Sequence, residues 1–224
     1  MADDDVTLSG ELKGKLIDSK QKWAEEGRLL TGTTAAPSER LPPGQRLVET
    51  WPVLDLGIQP EIPTHAWRLF VDGEVEAPVT LKWDEFTKLP QTRLTTDIHC
   101  VTAWSRYDNQ WEGVSARDLI ALVKPKAEAQ HVIFHSYDTY KTNVPLADFA
   151  GDDVILARNW NGAPISREHG GPLRVVIPKL YFWKSAKWIK RIEFSIMDKP
   201  GFWEVRGYHN YGDPWREQRY DDEI

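Results

Sequence analysis

Short apolar runs separated by turn-forming residues recur between residues 67 and 196. β-branched and aromatic residues dominate these runs or alternate with polar ones, and both patterns predict strands. The predicted strands are WRLFVDGEV (67–75), HVIFHSY (131–137), DVILA (153–157), LRVVI (173–177) and the alternation of Ile192, Phe194 and Ile196.

Two short helices are predicted between these strands. WDEFTKL (83–89) is ended by Pro90, and in SARDLIALV (115–123) Ser115 and Asp118 have the spacing of a capping box. Because the strands and helices do not alternate regularly, the pattern predicts an α+β fold rather than a doubly wound one.

The N-terminal region has a different pattern. Five apolar residues recur among charged ones, mostly at three- and four-residue intervals, which predicts an amphipathic helix over residues 11–29. They are Leu12, Leu16, Ile17, Trp23 and Leu29. The following TGTTAAPSERLPPG (31–44) predicts an extended linker. We therefore predict a single domain over residues 1–224, in which residues 1–45 form a helical arm and linker.

Composition narrows the classes of function. The 224 residues are 41% hydrophobic and carry 28 Lys and Arg against 34 Asp and Glu, a formal charge of −6. This composition predicts a globular protein and argues against a nucleic-acid partner, which normally requires a broad positive surface. No apolar run approaches the roughly 18 to 20 residues that span a bilayer. The acidic start MADDDVTLSG shows no secretory signal, so we expect a cytoplasmic protein.

Cys100 is the single cysteine, which excludes an intramolecular disulfide. A lone cysteine is most often an inert buried residue, and a reactive thiolate requires nearby positive charge or a metal. His99 is adjacent, but neighbouring strand residues point to opposite faces, so it is a poor partner for the thiol. His131 and His135 lie about 13 Å apart along a strand and cannot share one zinc ion.

A candidate anion site lies in the segment 158–188. The turn Gly170–Gly171–Pro172 leaves its backbone open to a ligand. Donors follow it in Arg174, Lys184, Ser185 and Lys187, and together they suit a phosphate. A solvated basic loop is the alternative. Phosphate-binding G-x-G-x-x-G and Walker patterns are absent, so a nucleotide is not the expected anion.

The segments IHCVTAWS (98–105) and HGGPLRVVIPKLYFWKSAKW (169–188) together closely resemble the sulfite oxidase-like molybdopterin oxidoreductases. The resemblance extends from about Leu41 to GFWEVRGYH (201–209) and YGDPW (211–215). It is greatest to the short stand-alone bacterial branch and to the catalytic subunit of the molybdenum methionine sulfoxide reductase. It implies the molybdopterin-binding fold of that family, with mixed β-sheets and short helices.

The resemblance also implies molybdenum and molybdopterin as cofactors. Cys100 would supply a thiolate to the metal, and a soft thiolate suits molybdenum. The implied pterin contacts are Asp55, Ser136, His169, Arg174, Ser185, Ala186 and Lys187.

Two departures from the family pattern concern the substrate. True sulfite oxidases have the pattern C-x-x-x-R-R from the ligand cysteine, whereas this chain has Trp104 and Ser105 at the two arginine positions, followed by Arg106. They also carry a Tyr in the segment matching ILARNWNG, where this chain has Arg158. We therefore expect Arg158, Trp104 and Arg106 to line the substrate pocket, and we do not expect sulfite as the substrate.

The resulting hypothesis is a molybdopterin oxidoreductase that catalyses two-electron oxygen-atom transfer on a small polar oxide or oxyanion. The alternatives are a cofactor-independent thiol enzyme with Cys100 and a histidine, and a non-catalytic pterin-binding protein. Relatives carry dimerisation and cytochrome domains, but this chain ends at Ile224. We therefore expect a separate electron-transfer partner and favour a monomer. The absence of a twin-arginine signal argues against a periplasmic repair role.

Overall fold

A computed structural model describes residues 39–221. The strands are β1 (Arg46–Leu47), β2 (Arg68–Gly73), β3 (Val79–Lys82), β4 (Thr92–His99), β5 (Trp104–Ser115), β6 (His131–Ser136), β7 (Lys141–Pro145), β8 (Ile155–Trp160), β9 (Ala163–Pro164), β10 (Arg174–Val176) and β11 (Ile189–Ser195). The helices are α1 (Trp83–Phe86), α2 (Ala116–Val123) and α3 (Leu146–Phe149). Single 3₁₀ turns cover Arg167–His169, Phe182–Lys184, Glu204–Arg206 and Pro214–Arg216.

Two mixed sheets organise this part of the chain. In the first sheet, β5 pairs with β1, β4 and β8. Strand β8 also pairs with β10 and with β9. In the second, the strand order is β3-β2-β11-β6-β7, and β11 runs parallel to β2. The α+β class with mixed sheets and short helices is confirmed. No helix within residues 39–221 is long and apolar enough to cross a lipid bilayer.

The buried side chains form two clusters. One joins residues of both sheets and includes Trp67, Phe86, Phe134 and Phe194. The other lies beside the first sheet, contains Cys100, and consists largely of aromatic rings. The rings of the second cluster are those of Trp51, Trp104, Trp111, Tyr181, Phe182, Trp183, Trp203 and Tyr208. Many of the tryptophans therefore surround the single cysteine.

The predicted elements are present, with shifted ends. The run predicted as a strand over 153–157 becomes β8, which begins at Ile155 and continues to Trp160. The helix predicted to extend to Pro90 ends at Phe86. The predicted helix over residues 11–29 lies outside the described residues, and the single-domain assignment remains a prediction.

The apolar pattern did not predict β5 and β7, because polar residues interrupt it, whereas the strand-like stretch before Cys100 is β4 (Thr92–His99). The 12-residue β5 contains Asn109, which is fully buried. Its side-chain amide donates to the carbonyls of Thr96 and Arg106 at 3.2 and 2.9 Å. A buried polar side chain with satisfied hydrogen bonds is tolerated in a strand, but only the three-dimensional neighbours reveal that it is satisfied.

The N-terminus of α2 supplies a stability prediction. Ser115 Oγ accepts a hydrogen bond from the backbone N–H of Asp118 at 3.0 Å, as the capping spacing predicted. We expect Ser115→Ala to lower the free energy of unfolding by about 1 kcal/mol, because it removes this N-cap. Urea denaturation measures the loss. Ser115→Thr, which keeps the hydroxyl that also donates to Asp118 Oδ2 at 2.6 Å, should retain most of the stability, and equal stability of the two variants would contradict the cap.

Candidate active site

Cys100 lies in a tight turn between two strands of the first sheet. β4 ends at His99 and β5 begins at Trp104, and the two strands are antiparallel. The Cys100 N–H donates to the Trp104 carbonyl at 2.8 Å, and the Ala103 N–H donates to the Cys100 carbonyl at 3.1 Å. Ala103 has a φ of +66°, a left-handed conformation that costs energy for a residue other than glycine. The surrounding contacts must therefore maintain this turn.

The side chains of three residues contact groups of this turn within hydrogen-bond distance. Gln45 Nε2 donates to the Cys100 carbonyl at 3.0 Å, and Arg219 Nη1 donates to the Val101 carbonyl at 2.7 Å. Thr102 Oγ1 lies 3.1 Å from Cys100 Sγ, within hydrogen-bond distance. The sulfur is thus held in one position by contacts from both ends of the described chain.

The turn forms part of the lining of a cleft that holds about 850 Å³ of empty space, part of it open to solvent. Most of the residues singled out from the sequence line this cleft. They are Asp55, Cys100, Trp104, Arg174, Ser185, Ala186 and Lys187. Residues far apart along the chain are therefore brought to one cavity with the thiol.

Arg174 is 1% exposed and is held inside the protein by neutral groups. Its Nη1 and Nη2 donate to the carbonyls of His169 and Ser185, both at 2.8 Å. Its guanidinium lies 4.2 Å from the centre of the Phe182 ring and 5.1 Å from that of Trp51. Burial lowers the pKa of Arg174 to about 9. Within residues 39–221 no carboxylate forms a salt bridge with it, so a buried positive charge is available to an anionic ligand.

The loop after β10 presents backbone and side-chain polar groups beside Arg174. Ser185 Oγ accepts from the Ile177 N–H at 2.9 Å and keeps its own proton for another acceptor. Lys187 is half-buried, and its ammonium donates to the Glu168 carbonyl at 2.7 Å. These groups suit an anion such as a phosphate.

The packing of the protein itself also requires the glycines of this turn. A Cβ on Gly171 would lie 2.1 Å from the Ile165 carbonyl oxygen, and a Cβ on Gly170 would lie 2.8 Å from the Cβ of Lys187. Gly170 also has a φ of +104°. The glycines are required because the protein's own backbone passes close by, and this close packing places Lys187 beside the turn.

Lys184 was expected to contribute to the anion site, but the structure buries it elsewhere. Its ammonium lies 2.6 Å from Glu204 Oε1, and both side chains are almost fully inaccessible. The same oxygen of Glu204 accepts from Trp183 Nε1 at 3.0 Å. Burial lowers the pKa of Lys184, and the Glu204 charge opposes this shift. The pair therefore orients Trp183, a ring on the cleft wall, instead of binding a ligand.

Ser136 and His169 do not line the cleft, although each has a buried polar atom without a hydrogen-bond partner among the described residues. These atoms are Ser136 Oγ and His169 Nδ1. His169 stacks on Trp51 with ring centres 3.9 Å apart and planes 8° apart. Burial, together with the positive charges of Arg174 and Lys187, lowers the pKa of His169 to about 4.

The structure also places Arg106 and Arg158 outside the cleft lining. Arg106 Nε donates to the Glu49 carbonyl at 3.1 Å, and its guanidinium lies over the Trp160 ring. Arg158 Nη2 lies 2.5 Å from Glu112 Oε1, and its Nε donates to Gln91 at 2.8 Å. Both cations have partners on the protein's own surface, so the cleft does not receive the positive charge expected from them.

Asp138 also lines the cleft, and it was not predicted as a site residue from the sequence. It lies in the turn between β6 and β7 and accepts from the Tyr140 N–H at 3.1 Å. Burial raises the pKa of Asp138 to about 6, although the Tyr140 N–H and Lys187 oppose the shift. The sequence signal was that of a turn-forming aspartate between two strands, which by itself indicates only a turn.

The walls of the cleft are mostly aromatic, and the sequence identified few of these residues. The rings are those of Trp51, Trp104, Tyr140, Phe182, Trp183, Trp188, Trp203 and Tyr208. Tyr140 Oη donates to the Trp183 carbonyl at 2.7 Å. The site therefore combines one thiol, a few buried polar groups and an apolar aromatic enclosure, which is the composition of a cofactor or small-molecule site.

Comparisons with known proteins agree with this geometry. Residues 56–203 match the family model of the oxidoreductase molybdopterin binding domain. The uncharacterized oxidoreductase YuiH of Bacillus subtilis (strain 168) is 46% identical over 184 residues, which is 82% of this chain and 93% of that protein. The chain belongs to the family of oxidoreductases with a molybdopterin-binding domain.

More distant relatives share part of their length with this chain. The protein-methionine-sulfoxide reductase catalytic subunit MsrP of Ralstonia nicotianae is 29% identical over 66% of this chain and 49% of its own length. The crystal structure of the sulfane dehydrogenase SoxCD from Paracoccus pantotrophus matches with a TM-score of 0.57 and 23% identity, over 62% of this chain and 40% of that one. This match confirms the predicted molybdopterin-binding fold.

The pKa of His169 supplies a prediction on pH dependence. Its folded-state pKa of about 4 lies below the ordinary 6.5. The unfolded ring therefore takes up a proton before the native ring, and stability from His169 is lost as pH falls from 6.5 to 4. We expect a slope below about 1.4 kcal/mol per pH unit, the limit for one proton, because the ring is only half-buried.

Urea denaturation of apoprotein at several pH values, comparing wild type with His169→Gln, isolates this contribution. The variant should show a shallower loss of stability below pH 6.5. His65→Gln, at an exposed position, is the matched control and should follow the wild type. Parallel curves for all three proteins would contradict the assignment.

Proposed function

We propose that this protein is a molybdenum–molybdopterin enzyme that catalyses two-electron oxygen-atom transfer on a small polar oxide. The observation that carries the proposal is the presence of the Cys100 thiol and the buried Arg174 cation in one cleft. A soft thiolate suits molybdenum, and a buried cation with only carbonyl and ring partners suits the phosphate of a pterin. Membership of the family supports the same cofactor.

The chemical types of the residues in and near the cleft suit this cofactor. Cys100 would hold the metal, and Arg174, Ser185, Ala186 and Lys187 would hold the phosphate. Ser136 Oγ and His169 Nδ1 lie outside the cleft lining and are buried without partners among the described residues, so each has hydrogen-bonding capacity for a pterin that extends beyond that lining. Asp55 is the proposed N-terminal contact. When bound, the cofactor supplies the exchange of oxygen and electrons.

The protein's own groups would orient the substrate and manage protons. Reduction of an oxide consumes two electrons and two protons for each water formed, so a proton-holding group in the cleft is useful. Asp138, with a pKa of about 6, is placed to hold such a proton near neutral pH. The aromatic walls exclude bulk water from the thiol. We propose that the electrons are exchanged with a separate protein partner.

The cleft favours a neutral oxide over an oxyanion. Arg106 and Arg158 contact Asn109 and Glu112 instead of the cleft, and the remaining cations that line it, Arg174 and Lys187, are those proposed for the phosphate. The walls are apolar rings, which bind sulfur-containing groups favourably. Relatives named methionine-sulfoxide reductases support a sulfoxide as the substrate class.

The first test is the metal content of the wild type and of Cys100→Ser. Protein expressed with molybdate should contain about one molybdenum per chain, held through the soft thiolate. The variant should lose turnover even where pterin remains bound, because the phosphate contacts lie elsewhere in the cleft. Inductively coupled plasma mass spectrometry and a fluorescence assay of released pterin measure the two quantities.

Two controls separate the alternatives. In the molybdenum-loaded wild type, Cys100 should resist iodoacetamide, since a coordinated thiolate is protected; rapid alkylation of fully active protein would indicate a thiol enzyme. Bound pterin without turnover on any oxide or oxyanion would indicate a pterin-binding protein. Full activity in Cys100→Ser would reject the ligand assignment.

The second test concerns the substrate class. With reduced viologen as the electron donor, an aryl methyl sulfoxide should be turned over, whereas oxidation of sulfite with an electron acceptor should be negligible. Arg158→Gln should leave kcat/KM within about twofold of the wild type, because this side chain lies outside the cleft. Tyr208→Leu should raise KM for the sulfoxide by up to about tenfold, since it removes a ring from the wall. A sulfite activity that depends on Arg158 would overturn this assignment.

A further inference from the structure

We propose that Thr102 tunes the metal site by donating a hydrogen bond to the sulfur of Cys100. This inference rests on the proposed function, because it concerns a metal held by that sulfur. The proposal is based on the 3.1 Å distance between Thr102 Oγ1 and Cys100 Sγ. Thr102 is buried, at 5% exposure, and lines the same cleft as the thiol.

The direction of this hydrogen bond follows from the protonation of the sulfur. A thiol and a hydroxyl can each donate to the other. A metal-bound sulfur is a thiolate without a proton, so the only proton between the two atoms is that of the Thr102 hydroxyl. Metal binding therefore fixes Thr102 as the donor and Cys100 as the acceptor.

Hydrogen bonds to the backbone of the turn keep Cys100 and Thr102 next to each other. Cys100 is anchored through its carbonyl by Gln45 and through its own N–H to Trp104, both within 3.0 Å. The Val101 carbonyl, between the two interacting residues, is held by Arg219 at 2.7 Å. With the backbone fixed on both sides, the hydroxyl has little freedom to leave the sulfur.

The expected consequence is a shift in the redox equilibrium of the metal. A hydrogen bond to a thiolate stabilises negative charge on sulfur and reduces the electron density that the sulfur donates to the metal. Groups that orient and polarise a ligand in this way tune the properties of metal centres. Thr102 should therefore favour the reduced metal, and its hydroxyl should raise the reduction potential.

Thr102→Val, which removes the hydroxyl at nearly constant volume, tests this role. In the molybdenum-loaded protein, we expect the equilibrium constant for one-electron reduction to fall by up to about tenfold, equal to a shift of 59 mV. The thiolate-to-metal charge-transfer band should move to lower energy. Thr102→Ser, which keeps a hydroxyl, should restore both values, and Thr80→Val, at an exposed position of β3, should not change them.

A second readout uses the apoprotein and requires no metal. The rate constant of Cys100 alkylation by iodoacetamide, taken at its alkaline plateau, reports the nucleophilicity of the thiolate itself. Loss of the hydrogen bond should raise this plateau by about twofold in Thr102→Val but not in Thr102→Ser. This measurement also decides the question if the Val variant fails to bind the metal.

The outcomes distinguish the two proposals. A wild type without molybdenum would reject the proposed function, while the alkylation plateau would still show whether the hydroxyl acts on the sulfur. A loaded Val variant with unchanged potential and band energy would overturn the tuning role and leave the proposed function standing. An alkylation plateau in Thr102→Val equal to that of the wild type would contradict a hydrogen bond from Thr102 to the sulfur in the apoprotein.

Discussion

The site depends on the hydrogen bonds that hold the buried guanidinium of Arg174. Two backbone carbonyls accept from it at 2.8 Å, that of His169 before β10 in the chain and that of Ser185 after it. A buried charge without a carboxylate is costly unless its donors are used, so these bonds fix the glycine turn and the following loop relative to each other. The remaining donors of the fork and the uncompensated charge then define where an anion can bind.

Two other cations, Lys184 and Arg158, are paired with carboxylates of the protein itself. Glu204 neutralises Lys184 at 2.6 Å and orients the indole of Trp183. Arg158 is neutralised by Glu112 away from the cleft. Arg174 and Lys187 are the cations among the described residues that line the aromatic enclosure. This distribution of charge separates a phosphate-binding end from an apolar region near Cys100.

Much of the fold was predictable because its central strands are short apolar runs. The strands β2, β6, β10 and β11 carry β-branched and aromatic residues in the expected pattern, and Ser115 caps α2 as its spacing predicted. β5 was missed because its interior includes Asn109, whose amide is satisfied by Thr96 and Arg106. Local periodicity does not contain that information, since Thr96 lies on another strand.

The sequence by itself determined the chemistry available to this protein: one thiol, a phosphate-type donor set, and a family resemblance specific enough to predict the cofactor. Only the tertiary structure decided which groups share the cleft. Asp138 enters it from a turn, while Lys184, Arg106 and Arg158 are directed to other partners. The physical reason is that a side chain's partners are set by packing between distant segments. Residue type shows what a group can bind, and the fold decides what it meets.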